Sequence, residues 1–214
     1  MDLQQLAGEI SVMHVDVGKY SQLVIKDAQC REQVVTLILT HPHIMVYYNC
    51  YYVLDEATSI HPELFISHWD DFAALLEHKN SYHRDIGMTL IANLTRFDEQ
   101  NRFETLFDRY FAHLQDQKFM TAVHCIQNSQ KIMRYKPDLI PHILPLLIST
   151  DRNGNYPVKQ QELMKGFVLE VLEDNFAVYA NEKGVINFIV QCAKSLSPKT
   201  RTLARNMIRK YSLI

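Results

Sequence analysis

The sequence predicts an all-α fold laid out as one quasi-linear array of about five helix pairs, and three observations carry that prediction. An apolar stripe with helical spacing recurs five times along the chain. Glycine and proline, at six and seven residues, are too few for the many tight turns of a β-rich fold. At 214 residues the chain is long enough to bury a sizeable core, as one compact domain or one array.

The stripe is clearest where His83, Gly87, Leu90 and Ile91 stand at offsets of zero, four, seven and eight, one face of a 3.6-residue period, with Arg84 at offset one. The same pattern fits Val46, Tyr47, Cys50, Val53 and Leu54, then Lys118, Phe119, Ala122, Cys125 and Ile126. It returns at Met164, Lys165, Val168, Val171 and Leu172, and at Thr200, Arg201, Ala204, Met207 and Ile208. Offset four holds Cys50, Gly87, Ala122, Val168 and Ala204, small in four copies and never long, as a helix lying close against its neighbours requires. The steps between copies are roughly 37, 35, 46 and 36 residues, a period that marks stacked repeats. The long step has a local cause: Asp151-Arg152-Asn153-Gly154-Asn155-Tyr156-Pro157 reads as a surface loop inserted into one repeat.

Taken in order, residues 1–20 form an N-terminal segment or an extra capping helix, and residues 21–214 a single repeat domain. The opening stretch has an acid at position two and neither a basic start nor an apolar centre, so it is not a secretory signal. A first helix lies within 21–39. Residues 34–54 carry no formal charge, but His41-Pro42-His43 interrupts them, which predicts two buried helices meeting at a turn and not a membrane span. The partner of the second stripe begins at Pro62-Glu63, a favourable first turn, and buries Phe65, Trp69, Phe72 and Leu76 over 62–76. Phe103, Leu106, Phe107, Tyr110, Phe111 and Leu114 form the third partner, and residues 137–148 and 184–196 supply the last two.

A small residue, a basic residue in three of five copies and a hydrophobic pair three or four positions on, at this period, resemble the second helix of a HEAT-type repeat, in the wider HEAT and armadillo superfamily. The resemblance spans about residues 21–214 and concerns architecture. The Asp that such repeats often carry before this helix is not regularly present, which leaves the subfamily open. What the resemblance implies is a right-handed α–α superhelix, a solenoid whose second helices line the concave side.

Charge and motifs narrow the chemistry. Lys and Arg, 22 together, nearly balance 24 Asp and Glu, so no global field draws in nucleic acid or an anionic membrane. Cys30, Cys50, Cys125 and Cys192 are widely spaced, and a reduced, cytoplasmic setting is the simpler reading. Ten histidines show no H-E-x-x-H spacing. The iron-binding HEAT-like hydroxylases present His-Glu dipeptides, whereas this chain has only the reversed Glu77-His78, so neither a metal nor another cofactor is expected. His124 and Cys125 are adjacent on a helix and point about 100° apart, too far to share a proton. Glycine-rich phosphate loops and the G-x-S-x-G elbow are missing, and no catalytic set emerges. Trp69-Asp70-Asp71 resembles the Trp and Asp of HEAT-like alkylpurine DNA glycosylases, but Trp69 belongs to an apolar stripe and reads as core with two solvated acids.

Two candidate sites remain. Lys199, Arg201, Arg205 and Arg209 give the last helix a basic face, suited to an anion or to the outer surface of a terminal repeat. The other is the row that the repetition creates off the apolar stripe: Tyr48, Tyr52 and Asp55; Asp85, Thr89 and Asn93; His124 and Asn128; Glu170 and Asp174; Asn206 and Arg209. That row is polar, aromatic at one end and mixed in charge, which suits a protein or peptide partner better than DNA. The expected function is a non-catalytic protein-interaction or scaffold module. The alternative is a HEAT-like nucleic-acid-binding or DNA-repair protein using the basic C-terminal helix, and self-association through the aromatic end is a third reading.

Overall fold

The computed structural model describes residues 2–150 and 156–213, and these fold into helices joined by turns and short loops, with no strand among them. The helices are α1 (Leu3–Ile10), α2 (Val17–Lys26), α3 (Ala28–Thr40), α4 (Ile44–Ile60), α5 (Trp69–Leu75), α6 (Ser81–Leu94) and α7 (Arg102–Phe111). They continue with α8 (Phe119–Tyr135), α9 (Ile140–Ile148), α10 (Val158–Asp174), α11 (Phe176–Tyr179), α12 (Val185–Cys192) and α13 (Pro198–Tyr211). Short 3-10 turns adjoin α5, α6, α7 and α9. No helix among the described residues is long and apolar enough to cross a membrane.

The five copies of the stripe lie on α4, α6, α8, α10 and α13, and each of these helices packs on the next. Offsets four and seven are buried in every copy, and offset eight in all but the last, where Ile208 is half-buried. Gly87 shows why offset four stays small. A Cβ there would stand 2.8 Å from both the Leu75 Cβ and the Phe72 carbonyl oxygen, so α6 lies directly against α5. Outer helices pair with the stripe-bearing ones: α3 on α4, α5 on α6, the turn Ala112–Gln115 on α8, and α12 on α13, while α9 touches both α8 and α10. Tyr110 in α7 is fully buried and donates its hydroxyl to the Met88 carbonyl of α6 at 3.0 Å.

Two elements differ from the sequence reading. Residues 21–39, expected to hold one helix, hold the end of α2 and most of α3. Asp27 takes an extended conformation between them and caps α3, accepting hydrogen bonds from the N–H groups of Gln29 and Cys30. Helix α2 runs across residue 20, and its Tyr20 and Val24 both enter the core. The partner over 62–76 begins as the 3-10 helix Pro62–His68, and only then becomes α5. Its three-residue period aligns Pro62, Phe65 and His68 on the buried side. His68, unremarkable at 3.6-residue spacing, is thereby enclosed with its ring nitrogens 3.0 Å from Glu32 and 3.3 Å from Asp71. Residues 151–155 of the expected inserted loop lie outside the described residues; Tyr156 beyond them donates its hydroxyl to the Asp116 carbonyl.

Candidate functional site

The row predicted along the second helices divides into two kinds of surface. Over most of its length the polar side chains bind the next helix. Asn93 of α6 donates to the Asp55 carboxylate and to the Thr58 hydroxyl of α4, both at 2.8 Å, and accepts from Lys131 of α8 at 2.7 Å. Asn128 of α8 donates to the Thr89 hydroxyl of α6 at 3.1 Å. Arg134 of α8 pairs with Asp174 of α10 at 2.9 Å. These partners are 38, 38, 39 and 40 residues apart, one repeat step each, so the bonds form rungs between successive stripe-bearing helices.

Those rungs alter the role of several predicted contacts. Thr89, Asn93 and Asn128 are buried, and a docked partner would have to displace their inter-helix bonds to reach them. Asp174 is exposed but held: a hydrogen bond from Gln130, then the Arg134 guanidinium, keeps its carboxyl below the usual range. Glu170 pairs with Lys199 of α13 at 2.8 Å, and Arg209 donates to Asn206 at 2.8 Å. The periodic template predicted the positions but not their occupancy, because Lys131 and Arg134 stand beyond the template's last offset.

The basic face of α13 is similarly engaged. Arg201 donates to the Ser195 carbonyl and Arg205 to the Ala193 carbonyl, acceptors at the C-terminal end of α12. Lys199 lies over the Phe167 ring, 5.5 Å from its centroid, as well as pairing with Glu170. Trp69 is buried beneath Arg102, whose guanidinium sits 5.2 Å from the ring, and Arg102 also pairs with Asp70.

At the other end the row opens onto an aromatic cluster. Tyr48 of α4 is half-buried and lies between Tyr52 and Tyr82, each 5.5 Å away by ring centroid and tilted by 70° and 82°. Tyr51 closes the group, 6.0 Å from Tyr48 and 5.2 Å from Tyr52. Tyr52 and Tyr82 remain 46% and 44% exposed. Burial, then the neighbouring Tyr52, Tyr82 and Asp85, pushes the Tyr48 phenol above its ordinary value. Tyr51 is pushed up to about 12, mainly by burial. Beneath the cluster Tyr47 packs on His83, which stacks on His78 at 4.2 Å. Tyr51 and Tyr82 were not in the predicted row: Tyr82 precedes the stripe by one residue, in the first turn of α6, where Asn80 caps the helix by accepting from its N–H.

Asp85 and His124 adjoin this cluster. His124 Nδ1 stands 3.2 Å from Asp85 Oδ2, near enough for ion pairing but out of line for a hydrogen bond, and Asp85 Oδ1 is covered with no hydrogen-bond partner. Among the described residues no group of three or more His, Cys, Asp or Glu is gathered as a metal would need. All four cysteines are buried thiols, and burial pushes Cys50 up to about 12. No protein-family model matches the chain, and no curated protein matches it.

Proposed function

We propose that the protein is a HEAT-like helical array, a right-handed superhelix of about five pairs, acting in the cytoplasm as a non-catalytic module that docks a partner protein or peptide on the face of its second helices. The observation that carries this reading is the exposed tyrosine cluster on α4 and α6. Large apolar rings with a polar tip are favoured where one surface must be both soluble alone and buried in a complex. The consecutive packing of α4, α6, α8, α10 and α13 supports the array. The groups with shifted proton affinity are explained by structural partners, as with Asp116 beside Arg84, and not by a convergent reacting set. Four buried thiols favour a reducing compartment. The basic helix α13 gives less support to a nucleic-acid reading, since its cations already meet acids and carbonyls of α10 and α12.

The test is affinity capture from native lysate, with a nuclease-treated sample as control, comparing wild type with a Tyr52→Ala, Tyr82→Ala variant. The expected result is one protein, identified by mass spectrometry, retained by wild type and lost from a variant that melts like it. Recovery of nucleic acid alone, abolished by replacing Arg201, Arg205 and Arg209 instead, would overturn the reading.

A further inference from the structure

The docking reading leaves open what chemistry the aromatic end selects, and two unmet demands there point the same way. The first is electrostatic. Aromatic faces attract cations within about 6 Å of the ring centroid, and elsewhere this chain uses that attraction: Arg31 on Phe65, Arg102 on Trp69 and Lys199 on Phe167. The tyrosine cluster holds the most rings of any exposed group, yet among the described residues no lysine or arginine stands over it. The second is a missing donor. Asp85 Oδ2 has only the misaligned His124 at 3.2 Å, while Oδ1 is covered and closed to any incoming group. An acceptor left without an aligned donor is costly.

The remaining charges do not answer either demand. Lys131, further along the row, is engaged by Asn93 at 2.7 Å and lies 3.5 Å from Asp55. Arg84, one residue from Asp85, is directed to the Asp116 carboxylate and the His78 carbonyl. Asp85 keeps 14% of its side chain exposed, and of its two carboxylate oxygens only Oδ1 is covered, so Oδ2 is open to an incoming donor.

Resting on the docking reading, we propose that the Tyr48, Tyr52, Tyr82 and Asp85 site is specific for an arginine side chain of the partner segment. A guanidinium answers both demands at once. Its plane stacks on aromatic faces, while an N–H at its edge donates to Asp85 Oδ2. Lysine offers a point charge without the plane, and is the weaker occupant.

The test uses short fluorescein-labelled Gly-Ser peptides carrying arginine, lysine, citrulline or glutamate at the same positions, with binding read by anisotropy. Citrulline keeps the shape of arginine and removes the charge. Wild type should bind the arginine peptide best, with the citrulline peptide weaker by about tenfold or more, and Asp85→Asn should weaken arginine binding by about tenfold. The Tyr52→Ala, Tyr82→Ala variant should lose it further. Equal binding of arginine and citrulline peptides, or an unaffected Asp85→Asn protein, overturns the arginine inference, while dependence on the tyrosines would leave docking standing. Arginine binding indifferent to the tyrosines defeats both. No binding of the arginine peptide by wild type also overturns the inference, and the lysate capture then judges docking separately.

Discussion

Gly87 and Asp116 are the residues whose surroundings leave least room for change. A methyl group at Gly87 meets Leu75 and the Phe72 carbonyl at 2.8 Å, both fixed parts of α5. Gly87→Ala should therefore lower stability by about 1–3 kcal/mol through overpacking, against a helix-propensity gain of about 1 kcal/mol, as urea denaturation will show. Asp116 is held differently. Burial raises its carboxyl, but the Arg84 guanidinium, the Lys118 N–H and His113 outweigh burial and keep it below the usual range. A depressed folded value contributes stability that is present above the unfolded value, about 3.9, and is lost as pH falls through the folded one. Arg84→Met breaks a pair whose side chains are only 13% and 7% exposed. It should cost about 3–5 kcal/mol at neutral pH, and the gap from wild type should narrow as pH falls below about 4. Gly87 was legible in the sequence because its place in the stripe demanded a small residue. Asp116 was not, since it lies before α8, outside any period, and only the fold brings it to Arg84.

Between elements, the polar rungs do what the apolar stripe cannot: they fix how each second helix is set against the next. Asn93 is central, joining α4, α6 and α8 through Asp55, Thr58 and Lys131. Asn93→Ala leaves those groups unpaired and should destabilise the fold by about 1–3 kcal/mol. In a double-mutant cycle with Lys131→Met, the two changes should be coupled by about 0.5–3 kcal/mol, whereas additive costs would show that the rung is incidental. The sequence revealed the five stripe-bearing helices through their apolar period. It concealed the rungs, because Asn, Thr and Asp at outward offsets look the same whether they face water or a neighbouring helix. The 3-10 turn at Pro62–His68 was hidden for a related reason, since Phe65 and Trp69 fit a 3.6-residue stripe while Pro62, Phe65 and His68 fit a period of three.

Over the whole molecule, the consecutive packing makes the middle of the chain its best-supported part. Every residue from Ile86 to Thr95 is buried, and α6 is packed between α4 and α8, whereas α13 closes one end against α10 and α12. Amide exchange should consequently be slowest over residues 86–94 and faster over 198–211, in keeping with local opening where buried contacts are fewest. The same architecture confines the open aromatic surface to α4 and α6, because further along the row the polar groups are engaged in rungs and ion pairs. Hydrogen exchange read by mass spectrometry, with and without the arginine peptide, tests this division of the surface most directly. Added protection is expected in residues 44–60 and 81–94 and none in 198–211; protection centred on 198–211, or none in the two tyrosine-bearing helices when the peptide is bound, would contradict docking at the tyrosines.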